Sequence, residues 1–212
     1  GDLTFAVSAE QLEDGKSAGI TDGVTIAGNS NNTRNVIPDL TARIQLDRGG
    51  LHLMGSGIVR QIGIDEANGD DDNDTGFGVN GSALIPIGPD SVAANVTWGE
   101  GIGDYLVSVH PAFVDEAGEL DAIEVFAVSG AYTRNWTDRV SSSLVFGYTE
   151  NDDNHSSGAG TEEVTSVHLN TFYTPVAPLT FGGEVMWGDR ETFDGSIDED
   201  AVRLQFSAKY SF

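Results

Sequence analysis

The chain has 212 residues, no cysteine, and 34 acids against 10 Lys and Arg, giving a formal charge of -24. That balance disfavours nucleic acid, whose affinity rests on cations neutralising phosphates, and the missing thiols exclude disulfides and thiolate metal sites. No apolar run approaches the ~20 residues of a membrane helix, and Gly1 in place of an initiating Met reads as the start of a processed chain or a fragment.

Alternation of apolar and polar residues predicts ten strands, near 2–12, 38–48, 51–64, 76–88, 91–99, 121–135, 139–150, 164–174, 179–189 and 200–212. The first sets Leu3, Phe5, Val7 and Ala9 against Thr4, Ala6, Ser8 and Glu10. After it comes a long polar connection, 13–37, holding "GKSAG" (15–19). This matches the Gly-x-Ser-x-Gly nucleophile elbow in form only, because that motif needs a strand-to-helix turn; a flexible Gly/Ser loop is the better reading.

The second strand sets Leu40, Ala42, Ile44 and Leu46 against Asp39, Thr41, Arg43, Gln45 and Asp47, and a short "RGG" turn leads to the third. Next, "DEANGDDDNDTG" (65–76) spaces Asp70, Asp72 and Asp74 like the first three ligands of a calcium loop. Thr75 and Gly81 stand where an EF-hand needs Gly and Glu, so the expectation is a weak Ca or Mg site at an acidic rim. The bland alternative is a solvated acidic loop, bridged by divalent cations to lipopolysaccharide phosphates. Further on, Val92, Ala94, Val96 and Trp98 alternate with polar and small residues, as do Ser142, Leu144, Phe146 and Tyr148. The last strand, "RLQFSAKYSF", keeps period two to the final Phe212.

The connections alternate long and short: 13–37, 65–75, 99–120, 151–163 and 189–199 are long, and "RGG", "GPD", "NWTDR" and "PVAP" are tight. An antiparallel up-and-down sheet with long loops at one end and tight turns at the other is the layout of a transmembrane β-barrel. Most of the acids fall in or beside the long connections, whereas only Lys16, Arg34 and Arg190 of the ten basic residues do. A sandwich would instead turn its bulky face into a closed core.

Two residue sets follow from strand phase. Arg43, Arg60, Arg139, Arg203 and Lys209 fall on the polar phase, shared with Asp39, Asp47 and Glu184. On a barrel these are pore-lining, and rings of Arg and Lys favour anions; the alternative is that the charges neutralise one another and only hydrate the channel. The apolar phases end in Trp98, Tyr132, Trp136, Tyr148, Tyr173, Trp187, Tyr210 and Phe212, the placement of a membrane–water girdle. Of the four histidines, His110 and His155 lie in long connections, while His52 and His168 take the polar phase. A Ser or Asp within hydrogen-bond distance of either would favour a barrel hydrolase, a second alternative.

The stretches "PDLTARIQLDRGGLHLMGSGIVRQI" (38–62), "AYTRNWTDRVSSSLVFGY" (131–148) and "SVHLNTFYTPVAPLTFGGEVMWGDRETFDG" (166–195), with the terminal strand, resemble Gram-negative outer-membrane porins. Specifically, they resemble the C-terminal part of DcaP-like trimeric porins. The resemblance covers somewhat under half of the chain. It implies a bacterial outer-membrane location and passive diffusion of small hydrophilic solutes, anionic and dicarboxylate-like among them; with no motif around His52 or His168, no catalytic residue is expected, and no cofactor beyond Ca or Mg at the acidic rim. It also implies a homotrimer in lipid and lipopolysaccharide, assembled by the barrel-assembly machinery through the C-terminal strand. Such porins are similar to sixteen-stranded barrels about twice this length, so residues 1–212 are expected to be either a single barrel domain or the C-terminal portion of one. The other possibility is a complete, narrow ten-stranded barrel whose acidic extracellular loops mediate adhesion or ion binding.

Overall fold

The computed structural model describes residues 1–10, 32–35, 37–65, 71–106, 112–114, 120–152 and 160–212. In chain order the strands are β1 (Asp2–Glu10), β2 (Asn32–Asn35), β3 (Asp39–Arg48), β4 (Leu51–Asp65), β5 (Asp71–Ile87), β6 (Asp90–Glu100), β7 (Ala112–Val114), β8 (Leu120–Ala122), β9 (Glu124–Thr137), β10 (Val140–Asp152), β11 (Thr161–Val176), β12 (Leu179–Thr192) and β13 (Asp198–Tyr210). One 3₁₀ turn, Gly103–Tyr105, follows β6.

Ten strands form one continuous antiparallel sheet in the order β1-β3-β4-β5-β6-β9-β10-β11-β12-β13. All ten expected strands are present, and each neighbours the next in sequence. Three short elements were not legible in the alternation. β2 pairs with the far end of β4, Asn35 opposite Ile62, and β7 and β8 form a separate hairpin. The strands also run further toward the long connections than expected. β5 starts at Asp71, inside the stretch taken as an acidic loop; β9 is the exception, starting at Glu124 rather than 121 because β8 takes Leu120–Ala122. A polar strand carries no alternation, so pairing alone reveals it.

The tight turns have the glycines they need. Gly49 and Gly50 adopt φ of +59° and +86°, and Gly88 adopts +62°, a region costly for residues with a Cβ.

Register makes the two faces plain, because directly opposed residues share a face. One row runs Arg43, Ser56, Asn80 and Thr97; the neighbouring row on the other face runs Ile44, Gly55, Gly81 and Val96. A third hydrogen-bonded row begins at Asp47 and His52, beside the 48–51 turn, and reaches His168, Met186 and Arg203 in mid-strand. That drift is the stagger of tilted strands in a barrel wall.

The arrangement is apolar outside. Val7 and Phe206 are 84% and 83% exposed, and large apolar residues are exposed on strand after strand of the outer face. A water-soluble monomer does not carry an apolar surface of this extent. The few buried apolar residues, Ile62, Ile102, Ala112, Leu120, Ala122, Ile123 and Val125, lie instead on the polar side, where chain between β6 and β9 covers the wall. Among the described residues, β1 pairs only with β3 and β13 only with β12.

Candidate functional site

The covered patch begins with glycines. Gly76, Gly78 and Gly99 sit on the polar face of β5 and β6. A Cβ on Gly78 would come within 2.9 Å of two methyl carbons of Ile102, and one on Gly99 would meet the Phe77 carbonyl and Ile102. The missing side chains leave a shallow floor into which Ile102 inserts, packing with Val125, Ile58 and Leu106. Gly101, at φ +71°, turns the chain off the end of β6 and back over the wall. The Gly101 amide donates to the Ile123 carbonyl at 3.0 Å, closing the base of the excursion.

Arg60 is the polar centre. It projects from the same face of β4, between Ile58 and Ile62, and is 0% exposed. Its Nη1 lies 2.8 Å from Asp104 Oδ2 and donates to the Gly101 carbonyl at 3.1 Å, while its Nε lies 3.3 Å from Asp39 Oδ2. The guanidinium carbon stands 5.4 Å from the centre of the Tyr105 ring, and the Tyr105 hydroxyl donates to Asp39 Oδ2 at 2.8 Å. Burying an ion costs several kcal/mol unless charge and hydrogen bonds compensate; here two carboxylates, a carbonyl and an aromatic face offset part of that cost, while Arg60 Nε and Nη2 and Asp39 Oδ1 have no hydrogen-bond partner among the described residues. Although Tyr105 is 41% exposed, partial desolvation of its phenol, then the Asp39 hydrogen bond and charge, push it above its ordinary range.

A second clamp holds the far part of the excursion. Asp72 Oδ2 accepts the Leu120 amide at 2.7 Å, and Asp74 Oδ2 accepts the Ala122 amide at 2.9 Å. Their other oxygens accept the amides of Asn73 and Thr75. Between this docked chain and the wall a cleft of about 360 Å³ remains, bordered by Glu10, Arg43, Asn80, Thr97, Tyr105 and Leu106.

The expected pore residues divide accordingly. Arg43, Arg203 and Lys209 stand exposed on the polar face, and Asp47 and Glu184 are half-buried there. Arg60 and Asp39 take that face too, but the docked chain covers both, so they meet no open lumen. Arg139 is corrected: it lies in the tight turn between β9 and β10 rather than on the wall. Of the expected metal ligands, Asp70 lies outside the described residues, while Asp72 and Asp74 hold β8. Among the described residues no group of three His, Asp or Glu side chains converges on a metal-sized site. The aromatics all take the outer phase, in two tiers. Trp98, Tyr148 and Trp187 stand toward the long connections; Tyr132, Trp136, Tyr173, Tyr210 and Phe212 stand toward the tight turns. Phe77 joins the first tier, edge-on to Trp98 with ring centres 5.5 Å apart.

The histidines have acidic neighbours. His52 Nδ1 lies 2.7 Å from Asp47 Oδ1, and His168 Nδ1 lies 3.5 Å from Glu184 Oε1. The Asp partner sought for a hydrolase is therefore present at His52. Among the described residues no Ser or Thr hydroxyl hydrogen-bonds to either ring, so no nucleophile–base pair is formed. His110 and His155 lie outside the described residues.

Sequence reasoning missed Ile102, Asp104 and Tyr105. The available signal was Ile58 and Ile62 flanking Arg60 on a wet face opposite Gly76 and Gly78. An apolar, glycine-floored patch there needs a cover.

No family model and no curated relative matches the chain. Among solved structures it is similar to the outer membrane channel DcaP of Acinetobacter baumannii, at 27% identity and a TM-score of 0.85, over 99% of this chain and 59% of that one. It is also similar to the outer-membrane OmpT of Vibrio cholerae at 14% identity and a TM-score of 0.54, over 86% of this chain and 61% of that one, which speaks for the fold alone. The chain thus spans about three fifths of the length of each. A staggered antiparallel wall, apolar outside and polar inside, that superposes on the outer membrane channel DcaP over 99% of this chain is an outer-membrane β-barrel wall, and the chain resides in the bacterial outer membrane.

Proposed function

We propose that this chain forms wall of an outer-membrane porin passing small hydrophilic solutes by passive diffusion, and that the chain docked on Arg60 narrows its lumen. The observation carrying this reading is the placement of Gly101–Leu106 and Leu120–Ile123 on the polar face of a wall whose other face is apolar. A barrel lined with hydroxyls, amides and charges, and partly filled by its own chain, admits water-borne solutes below a size limit. The likeness to an outer membrane channel at 27% identity supports it.

The preferred solutes are small anions of dicarboxylate type. Arg203 and Lys209 have no acid within 4.0 Å among the described residues, and Arg43 is exposed beside the cleft. Glu184 and Asp47 oppose them, so the preference is moderate. The aromatic tiers anchor the wall at the two lipid interfaces, with lipopolysaccharide around the acidic end. Subunits associate as a homotrimer, and β13 with Phe212 is the element read by the assembly machinery.

Among the described residues the outer edges of β1 and β13 have no partner, which favours a wider barrel over a closed ten-stranded one. Edge amides and carbonyls are not tolerated in hydrocarbon. β1 and β13 run in opposite directions, Asp2 opposite Asp47 and Tyr210 opposite Leu179 at the tight-turn side, so any strands completing an antiparallel wall are even in number. The test is the intact mass of the native polypeptide, followed by planar-bilayer conductance and reversal potential across a KCl gradient. A mass well above 22.4 kDa with anion-selective conductance is expected. A chain of this mass alone that carries no current would sink the porin reading and leave the narrow, loop-binding barrel.

A further inference from the structure

We propose that Arg60 is the positioning residue that sets the aperture, an electrostatic latch whose charge balance holds the docked chain in the lumen. The inference rests on the porin reading above and assigns the control of the same site to one side chain. Arg60 joins three separate elements at a single point: Asp39 from β3, its own strand β4, and Gly101 with Asp104 from the excursion after β6. On the polar face of a pore wall, an arginine with no exposure is out of place unless the chain above depends on it. Asp39 is likewise 0% exposed, and the Asp104 side chain is 10% exposed.

The charge count makes the latch directional. Two carboxylates face one guanidinium. Without the guanidinium, Asp39 and Asp104 oppose each other under the same cover, and like charges in a poorly hydrated site repel strongly. Since Asp104 rides on the docked chain and Asp39 on the wall, that repulsion drives the chain off the wall. Loss of a purely apolar contact would loosen the cover without such a force.

This separates a latch from ordinary packing. In Arg60→Met the chain lifts and the lumen widens. In the triple variant Arg60→Met, Asp39→Asn, Asp104→Asn the repulsion is gone, the Gly101–Ile123 hydrogen bond and the Asp72 and Asp74 clamp remain, and the chain settles back. Arg60→Lys keeps the charge but not the planar group that faces Asp39 through Nε and Asp104 through Nη1 at once, and falls between.

The chain has no cysteine, so a single Ile102→Cys, at a position 3% exposed, reports docking through its rate of labelling by a water-soluble maleimide. The experiment uses the full native polypeptide, refolded and checked by heat-modifiable electrophoretic mobility. Labelling should accelerate by about tenfold or more when Arg60→Met is added, and return close to the parent rate in the triple background. Single-channel conductance should rise and fall in step. An unchanged labelling rate in Arg60→Met overturns the latch. Equal acceleration in the single and triple backgrounds overturns its electrostatic basis and makes Arg60 a packing residue. If the barrel never conducts, the porin reading fails, and the labelling rates still decide the latch.

Discussion

At the scale of the residue, the docked chain depends on a few side chains whose chemistry is unlike their surroundings. Gly78 illustrates steric control. It stands in a wall strand where Val or Thr would pack better, yet its bare Cα is what lets Ile102 approach. Tyr105 illustrates electrostatic control. Its phenol is raised by partial desolvation first, then by the hydrogen bond to Asp39 and by that carboxylate's charge, with Arg60 opposing. A raised value means the docked state holds the phenolic proton more tightly than the free chain does. The docking contribution is therefore intact below the ordinary phenol value of 10.0 and is lost as pH climbs beyond it. Of the five tyrosines, Tyr105 should contribute a late step to the phenolate absorbance, and Tyr105→Phe should remove that step. A superimposable titration curve for the variant would show that the hydroxyl is not held as described.

At the scale of the element, β5 is the informative strand. Its central residues cross the apolar band, whereas its first residues, Asp71–Thr75, extend beyond it on the long-connection side and carry the clamp. Asp72 and Asp74 share a face because strand phase repeats every two residues, and β8 meets them with the amides of Leu120 and Ala122 at the same period. Hydrogen bonds to ionised acceptors contribute about 1.5–3 kcal/mol each, so the pair is enough to fix a three-residue strand. Replacing both acids with Ala should raise hydrogen exchange at Leu120 and Ala122 by ten- to a hundredfold while leaving the β5–β6 ladder protected. Unchanged protection at those two amides would mean that the Ile62–Ala112–Leu120 packing holds β8 unaided.

At the scale of the whole molecule, the dominant fact is an apolar exterior with aromatic tiers at two heights. Along β9, Phe126 and Tyr132 are separated by six residues, and so are Phe181 and Trp187 along β12, about 20 Å of strand at ~3.3 Å per residue. With the rings reaching outward from both tiers, that is comparable to the ~25 Å apolar band of outer-membrane barrels. All three tryptophans belong to the tiers, Trp98 and Trp187 to one and Trp136 to the other, so intrinsic fluorescence samples only the interfaces. In bilayers carrying brominated lipids, quenching should peak for bromines near the headgroups and be weak for bromines at the chain ends. Strongest quenching from the bilayer centre would contradict the girdle.

Sequence alone determined the ten wall strands, the sorting of two faces and the inequality of the two ends. These are properties of period two and of turn residues, which act between near neighbours and need no knowledge of distant contacts. It likewise put Arg43, Arg203 and Lys209 on the polar face, because phase is inherited along a strand. Only the tertiary structure decided that Arg60 and Asp39 are covered, that Arg139 belongs to a turn, and that Asp72 and Asp74 grip a backbone. The contact between Arg60 and Asp104 spans forty-four positions and ends in a connection with no alternation of its own, and a pattern read along one strand holds no information about which chain returns to lie across it.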